Sequence, residues 1–384
     1  MKVTVAIDSF KGSLSSIEAG QAAKAGVLLA FPDAQVTVLP MADGGEGTTC
    51  AIVSAVGGEL LTVSVTDPLG RPIKARYGYI QATQTAVIEM AEASGITLIA
   101  ENERDPMRAT TYGTGELIKD AILRGCRRFI IGIGGSATND GGVGMLEALG
   151  FAFLDADGNP IARGAEGLMH LAEIRRDKVL PELWECSFTV ACDVTNPLCG
   201  EKGCSAVYGP QKGAVAEQIT KMDRWLARYA ELTKAINPNA EPEYPGAGAA
   251  GGMGFALRSY FNAELTSGAS LVMKEIGLEA AIADADIVIT GEGRLDGQSA
   301  MGKVPCAVAK IAKKYDKTVI AFSGVVSEDA EALNACGIDA FFPILRKLTT
   351  LEEAMCKELA AENLRKAVAQ VFNLIKRLED NKNA

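Results

Sequence analysis

The 384-residue sequence predicts an α/β protein with two α/β domains. We expect a discontinuous Rossmann-like parallel-sheet domain, a second mixed-sheet α/β domain inserted into it, and an active cleft between them. Two observations predict this: strand-like and helix-like segments alternate near both ends of the chain, and the pattern between them differs. The length fits two or three domains of about 150 residues. We place the first domain at residues 1–66 and 284–384, and the inserted domain at residues 67–283.

The first segment predicts the order β-α-β-α. Residues 3–7 form a short apolar run typical of a strand, and residues 15–31 carry apolar side chains at broadly helical spacing. Pro32 ends that helix, because proline cannot continue it. Residues 35–39 predict a second strand and residues 44–56 a second helix.

The middle of the chain predicts a sheet with antiparallel members that then returns to α/β alternation. Residues 61–65, 73–80 and 86–90 are strand-like runs separated by turn clusters such as Asp67-Pro68-Leu69-Gly70. After them we expect helices at 113–123, 142–149 and 212–236, and strands at 129–133 and 188–191.

The last hundred residues alternate again, which predicts that they complete the first domain's parallel sheet. We expect strands at 287–290, 319–322 and 340–343, and helices at 304–315 and 328–336. A final amphipathic helix is predicted from Leu351 to Leu378, with an apolar face that closes the core.

Charge and composition exclude several classes of partner. Lys and Arg number 38 and Asp and Glu 48, so the net charge is 38 − 48 = −10, which disfavours nucleic acid and anionic membranes. No apolar stretch approaches the length of a membrane span, and the early Asp8 argues against a signal peptide. The nine scattered cysteines predict reduced thiols in a cytoplasmic protein; Cys199 and Cys204 are only a weak zinc signal.

The single histidine removes whole reaction classes. A Ser-His-Asp triad or a histidine-based metal site would need His170, which stands in an apolar stretch and suggests a structural role. Chemistry must therefore depend on carboxylates, lysines, arginines and backbone amides.

Glycine is in excess, and its positions suggest an anionic ligand. Six short clusters hold 24 of the 41 glycines, mostly just after a predicted strand or before a predicted helix. Backbone N–H groups and helix dipoles can hold phosphate at such places, although any one loop can serve only to turn the chain.

Two glycine loops resemble nucleotide-binding motifs but depart from them. Gly132, Gly134 and Ala137 with Asp155 fit a dinucleotide fingerprint, yet the loop continues to a helix that we expect Asp140 to cap. A nicotinamide oxidoreductase therefore ranks below phosphate chemistry. The string from Gly297 to Gly302-Lys303 satisfies GxxxxGK, but Val304 replaces the Ser or Thr that binds magnesium. Lys303 either reaches a phosphate or simply begins a helix.

Charged side chains accompany these loops. Asp43, Glu46, Glu292 and Asp296 suit Mg²⁺, although helix capping alone would account for Asp43 about as well. Several basic residues lie in glycine or turn segments, where they either bind an anion or are solvated: Lys11, Arg71, Lys212, Arg294 and Lys303.

Taken together, the motifs resemble the bacterial glycerate kinase family of two-domain α/β type without a Walker loop. The matching segments run in order over about residues 1–375: Asp8 to Ser13, Ala42 to Thr48, Tyr112 to Glu116, Gly132 to Gly142, Cys192 to Leu198, Gly209 to Gly213, Gly248 to Gly254 and Gly291 to Asp296. The resemblance implies transfer of the γ-phosphoryl group of ATP to D-glycerate, at the 2-hydroxyl, with Mg²⁺. A glycerate-binding sensor without catalysis and a homo-oligomeric state both stay open.

The resemblance and the residue chemistry together suggest site roles. Asp193 would orient the attacking hydroxyl, although its segment is also good turn chemistry. Lys11 and Arg294 would hold the glycerate carboxylate or the transferring phosphoryl group. The remaining expectations are substrate contacts at Asp8, Ser9 and Arg71, metal ligands at Asp43, Glu46 and Asp296, and nucleotide contacts at Gly134, Gly135, Ser136, Thr138, Asn139, Gly251, Gly252 and Lys303.

Overall fold

The computed structural model describes residues 1–297, 299 and 303–383, which form two compact units. The first unit comprises Met1–Asp43, Ser54–Val56 and Ala269–Ala384, and the second Gly44–Val53 and Gly57–Gly268. These bounds differ from the domain limits expected from the sequence. Most of residues 44–66 join the second unit because the strand there pairs within the second unit's sheet, and residues 269–283 join the first.

The strands and helices have the following bounds. The described strands are β1 Lys2–Ile7, β2 Gln35–Val38, β3 Glu59–Thr66, β4 Pro72–Ile80, β5 Thr85–Glu89, β6 Arg128–Gly132, β7 Ala152–Leu154, β8 Glu173–Arg175, β9 Ser187–Ala191, β10 Glu264–Thr266, β11 Ile287–Leu295, β12 Thr318–Val326 and β13 Ala340–Pro343. The described α-helices are α1 Ser16–Ala30, α2 Thr48–Val56, α3 Ala91–Ser94, α4 Tyr112–Leu123, α5 Val143–Ala148, α6 Cys204–Tyr208, α7 Ala216–Ile236, α8 Ala249–Phe261, α9 Gly268–Glu275, α10 Leu278–Asp284, α11 Val304–Lys314, α12 Ala332–Ala335, α13 Leu351–Met355 and α14 Lys357–Asn383.

The first unit contains a five-stranded sheet in the order β13-β12-β11-β1-β2, and every pairing in it is parallel. Helix α1 begins with a capping box between Ser15 and Glu18, and packs on the sheet beside α14. Gly26 lets these helices approach closely, since a Cβ there would collide with Val368.

Because all the pairings in this sheet are parallel, the carboxyl ends of its strands lie at one edge, where ligands of open α/β sheets bind.

The second unit contains a mixed sheet in the order β10-β9-β6-β5-β4-β3. Strands β3, β4 and β5 are antiparallel, and the pairs from β5 to β10 are parallel. Strands β7 and β8 form a separate antiparallel pair. The predicted parallel sheet and the predicted mixed sheet are both confirmed.

Several predicted helices have different ends. The expected helix at 44–56 begins only at Thr48, because Gly44 and Gly47 adopt left-handed backbone angles. The expected helix at 212–236 begins at Ala216, because Gly213 also has positive φ. The final helix is two helices, α13 and α14, since Cys356 has an extended backbone. The segment predicted as one helix at 328–336 is a 3₁₀ turn followed by α12. Helices α3, α6, α8, α9 and α10 were not predicted.

Candidate functional site

The first unit contains a cavity of about 360 Å³ at the carboxyl edge of its sheet. The segment that follows β1, the last residues of β11 and the residues after that strand provide one side of it. The segment from β13 to α14 provides the other. Seven of the expected site residues line this cavity: Asp8, Ser9, Lys11, Asp43, Arg294, Asp296 and Lys303. The structure therefore brings together residues that are as much as 295 positions apart in sequence (303 − 8).

Two carboxylates of the cavity lining lie close together: Asp8, which is buried, and Glu292, which is half-buried. Strand pairing aligns Ile7 with Gly291, which places Asp8 beside Glu292. Burial raises the pKa of Asp8 to about 7, and the nearby carboxylates add to the rise, although the Ser9 N–H donates to it at 2.6 Å. Burial also raises the pKa of Glu292, whose Oε1 is buried without a hydrogen-bond partner among the described residues. Such a pair can exchange a proton or accept a cation.

Three cations surround these carboxylates and are held only loosely. Lys11 Nζ lies 3.9 Å from Asp43 Oδ2, and the lysine side chain is 85% exposed. Arg294 Nε lies 3.5 Å from Asp296 Oδ2, and Lys303 Nζ lies 3.9 Å from the other oxygen of that carboxylate. Exposed pairs at such separations contribute little to stability. These cations can therefore turn to an anionic ligand at small cost.

Asp296 is positioned by its own turn. Burial opposes its ionisation, but the backbone N–H of Ser299, at 3.1 Å, and Lys303 outweigh this and lower the pKa of Asp296. Lys303 precedes α11, so the helix-start interpretation of this lysine is confirmed together with its place in the cavity. Gly302, the last glycine of the GxxxxGK string, lies outside the described residues.

The expected nucleotide loops lie in the second unit and are largely buried. Gly134 and Gly135 are exposed, but Ser136 is 8% exposed, and Thr138 and Asn139 are fully buried. Lys212 Nζ donates to Ser136 Oγ at 2.8 Å and to the Thr138 carbonyl at 2.6 Å. The same lysine is buried, which lowers its pKa to about 8.

Gly251 and Gly252, expected to contact nucleotide phosphates, pack closely on other parts of the second unit: Gly251 lies against Thr138 and Asn139, and Gly252 against Gly141 and Leu198. A Cβ on Gly251 would collide with the Thr138 carbonyl oxygen, and the N–H of Gly141 donates to the Gly251 carbonyl at 2.9 Å. Both glycines have positive φ. Their immediate role is close backbone packing.

Asp140 lies two residues before Gly142, which is the N-cap of α5, so the expectation that Asp140 is the N-cap is wrong. Its fully buried carboxylate accepts hydrogen bonds from the N–H groups of Thr111, Gly142 and Gly144 at 2.8 to 3.3 Å. Burial raises the pKa of Asp140 even so. The alternative dinucleotide interpretation needs Asp155 to bind a ribose hydroxyl. In the structure, the Asp155 carboxylate instead accepts the N–H groups of Asp157 and Asn159 in its own turn.

Three expected site residues have other surroundings, all in the second unit. Asp193 is exposed after β9, and its carboxylate accepts the N–H of Gly268 at 3.1 Å. Arg71 forms ion pairs with Asp67 at 2.6 Å and with Glu103 at 3.2 Å. Glu46 is exposed in the loop before α2.

Sequence reasoning missed a buried carboxylate in that unit, Glu89. It accepts the N–H of Thr49 at 2.7 Å and that of Gly47 at 3.2 Å, and thereby caps α2. Burial raises the pKa of Glu89. The sequence pattern that could have identified Glu89 is an acidic residue at the end of an apolar strand, the same pattern that identified Asp8. His170, by contrast, is exposed at the end of a 3₁₀ turn in the same unit.

Three further properties concern the described residues as a whole. No group of three or more acidic, cysteine or histidine side chains within them is arranged to hold a metal ion. All nine cysteines are described, and none forms a disulfide. No described helix is long and apolar enough to cross a membrane.

Known proteins resemble this chain over nearly its full length. A model of the Glycerate kinase family matches residues 3–376. The Glycerate 2-kinase of Escherichia coli (strain K12) is 48% identical over 354 residues, 92% of this chain and 93% of the relative. The Glycerate kinase of Bacillus subtilis (strain 168) is 45% identical over 376 residues, 98% of both chains. A crystal structure from Salmonella typhimurium LT2, provisionally described as glycerate kinase 2, has a TM-score of 0.91 at 46% identity and covers 99% of both chains.

Proposed function

Because this chain belongs to the glycerate kinase family, we propose that it is an enzyme that transfers the γ-phosphoryl group of ATP to D-glycerate. We assign the reaction to the 2-hydroxyl, giving 2-phosphoglycerate. The observation that carries the proposal is one cavity that combines loosely held cations with two close carboxylates, the buried Asp8 and the half-buried Glu292; the cations are Lys11, Arg294 and Lys303. Phosphoryl transfer needs little covalent chemistry from a protein and depends on such positioning and charge neutralisation.

Lys11 and Arg294 would hold the glycerate carboxylate and the transferring phosphoryl group. Arginine suits this role, since its planar guanidinium can bind two oxygens of an anion at once. Ser9, next to Asp8 in the same lining, would contact the substrate hydroxyls.

Asp8 is suited to take the proton of the attacking hydroxyl. A base works best when its pKa lies near the working pH, and burial raises the pKa of Asp8 to about 7. The alternative role for Asp193, orienting that hydroxyl, stays a prediction. So do substrate contacts at Arg71, whose guanidinium is engaged by Asp67.

Magnesium fits the donors present. Asp43 and Asp296 would hold the ion, and Glu292 Oε1, which has no hydrogen-bond partner among the described residues, offers another oxygen. The metal role predicted for Glu46, which lies in the second unit, stays a prediction. Mg²⁺ usually takes one or two carboxylates together with substrate phosphates, so a cage of three carboxylates is not required. When bound, it would neutralise charge on the phosphates of ATP. A cytoplasmic location and a homo-oligomeric state stay predictions.

The test is an ADP-release assay with a panel of hydroxy acids, followed by phosphorus NMR of the product. We expect turnover with D-glycerate and a 2-phosphoglycerate signal. Arg294→Gln should lower kcat/KM about 100-fold, the loss of one charge-assisted contact in the transition state. Arg175→Gln, which removes an exposed ion pair with Glu173, is the matched control and should change little.

Each alternative has its own outcome in these assays. If none of the hydroxy acids causes ADP release, the kinase assignment is wrong. A 3-phosphoglycerate product would overturn the assignment to the 2-hydroxyl. Glycerate binding without ATP consumption would favour a sensor. Reduction of NAD by a hydroxy acid would favour the oxidoreductase.

A further inference from the structure

Part of the lining of the first unit's cavity is apolar, and glycerate has no apolar group that could contact it. We call this the apolar wall; its members are Val304, Val325, Ile344, Leu351, Ala354 and Met355. Leu351 is 78% exposed, Val325 49% and Met355 38%. Apolar side chains left open around a concave site are typical of a ligand-binding surface.

Of the two proposed substrates, only one has a part that this wall can bind. Every carbon of glycerate carries oxygen, and the triphosphate of ATP is fully charged, so neither gains from apolar contact. The purine base is flat and largely apolar on its faces. A cavity of about 360 Å³ is also within the range for ligands much larger than a three-carbon acid.

The charges around the wall match a nucleotide. Lys303 directly precedes Val304, so a cation stands where the apolar wall meets the polar half of the cavity. A base on the wall would extend its phosphates toward this lysine and toward Arg294. The N-terminus of α11 begins at the same place and favours negative charge.

The wall also carries a group that can recognise the edge of a base. Asn363, on α14, lines the cavity, and its side-chain amide has no hydrogen-bond partner among the described residues. An asparagine amide both donates and accepts, and it pairs with adenine through the exocyclic amine and a ring nitrogen.

We propose that the apolar wall and Asn363 hold the purine base of the nucleotide phosphoryl donor, with Lys303 at the start of its phosphates. This inference rests on the proposed kinase function and deepens it. It places the base in the first unit, whereas the sequence placed nucleotide contacts mainly at residues 134–139 and 251–252, which are largely buried.

The experiment compares two exposed leucines of one segment. Leu351→Ala removes a side chain of the wall, and Leu348→Ala removes a fully exposed side chain that does not line the cavity. We expect Leu351→Ala to weaken ADP binding about five- to tenfold by calorimetry and to raise KM for ATP similarly. Its KM for glycerate and its affinity for inorganic tripolyphosphate, which lacks a base, should stay within about twofold. Leu348→Ala should leave all four quantities unchanged.

Asn363→Leu provides the second readout, base selectivity. We expect the preference for ATP over GTP, measured as the ratio of kcat/KM, to fall about tenfold or more. A merely structural role would lower both rates together and leave their ratio unchanged.

Three results would overturn the inference: unchanged ADP affinity in Leu351→Ala, an effect on glycerate in place of ATP, or equal losses for ADP and tripolyphosphate. Failure of the proposed function is a separate result, because it would appear as wild-type protein that binds ADP but phosphorylates no hydroxy acid. The calorimetric comparison then still decides the base site.

Discussion

Asp8 is a proposed catalytic group, and we predict that its carboxyl destabilises the first unit as the pH rises. Compared with native protein, Asp8→Asn should therefore be relatively more stable at pH 8 than at pH 5. Burial raises the pKa of Asp8 to about 7 in the folded chain, against an ordinary value of 3.8. The folded protein therefore keeps a proton that the unfolded chain has already released. Stability from this proton is fully present below pH 3.8 and is lost as the pH rises to about 7.

The magnitude follows from the width of that window. Each pH unit between the two pKa values costs about 1.4 kcal/mol, so from pH 5 to pH 8 the native carboxyl loses about 2–3 kcal/mol. The loss occurs almost entirely below pH 7 and then levels off. The other titratable groups are the same in both proteins, so the difference in stability between variant and native protein isolates the contribution of Asp8. Asp8 is only 9% exposed, so solvent screening of its charge is slight.

The assay is urea unfolding at pH 5 and pH 8, without ligand or metal, followed by far-UV circular dichroism. Trp184 and Trp225 both lie in the second unit, so tryptophan fluorescence follows that unit separately. Asp33→Asn, which removes an exposed carboxylate of the first unit, is the matched control. A stability difference between Asp8→Asn and native protein that is the same at both pH values would refute the reasoning.

Three further predictions concern the second unit and use tryptophan fluorescence. Asp140→Ala should lower its free energy of unfolding by about 3–5 kcal/mol, since buried N–H groups lose their acceptor, and a loss below about 1 kcal/mol would contradict this. Gly251→Ala should lower the free energy of unfolding by more than about 3 kcal/mol, because the added Cβ would collide with backbone. Gly158→Ala, which is also at positive φ but in open space, should lower it by about 1 kcal/mol. Equal losses would contradict the packing argument. Burial lowers the pKa of Lys212 to about 8, so the native protein should gain about 2 kcal/mol of stability from pH 8 to pH 10, and Lys212→Met should lack this gain. Parallel stability profiles of the two proteins would show that burial does not lower the pKa of Lys212.

The polar half of the cavity could be predicted from the sequence because local signals and topology agree there. Asp8 ends an apolar run, and Arg294 and Asp296 follow another, so both groups were expected at strand ends. In a parallel sheet those ends share one edge. The pairing of β1 with β11 then makes neighbours of Asp8 and Glu292, which stand 284 residues apart (292 − 8).

The apolar wall could not be predicted, because helical spacing does not distinguish a core from a cavity lining. Leu351, Met355 and Leu364 fall on one face of the predicted final helix and were all expected to close the core. Leu364 is buried there, but the extended backbone at Cys356 separates α13, and Leu351 and Met355 face the cavity. Met355 also packs directly on Gly12, a contact that no local pattern announces.

The glycine surplus supports less ligand binding than its clustering suggested. Gly113 lies against the carbonyl of Thr66 and Gly251 against that of Thr138, so backbone packing inside the second unit already requires glycine at both positions. Sequence alone cannot separate this requirement from a phosphate loop, because both place glycine between a strand and a helix. Exposure separates them: in the segment 134–139 only Gly134 and Gly135 present open backbone to a ligand. Any nucleotide phosphate bound by this segment must therefore contact those two residues, while the buried remainder supports them through Lys212.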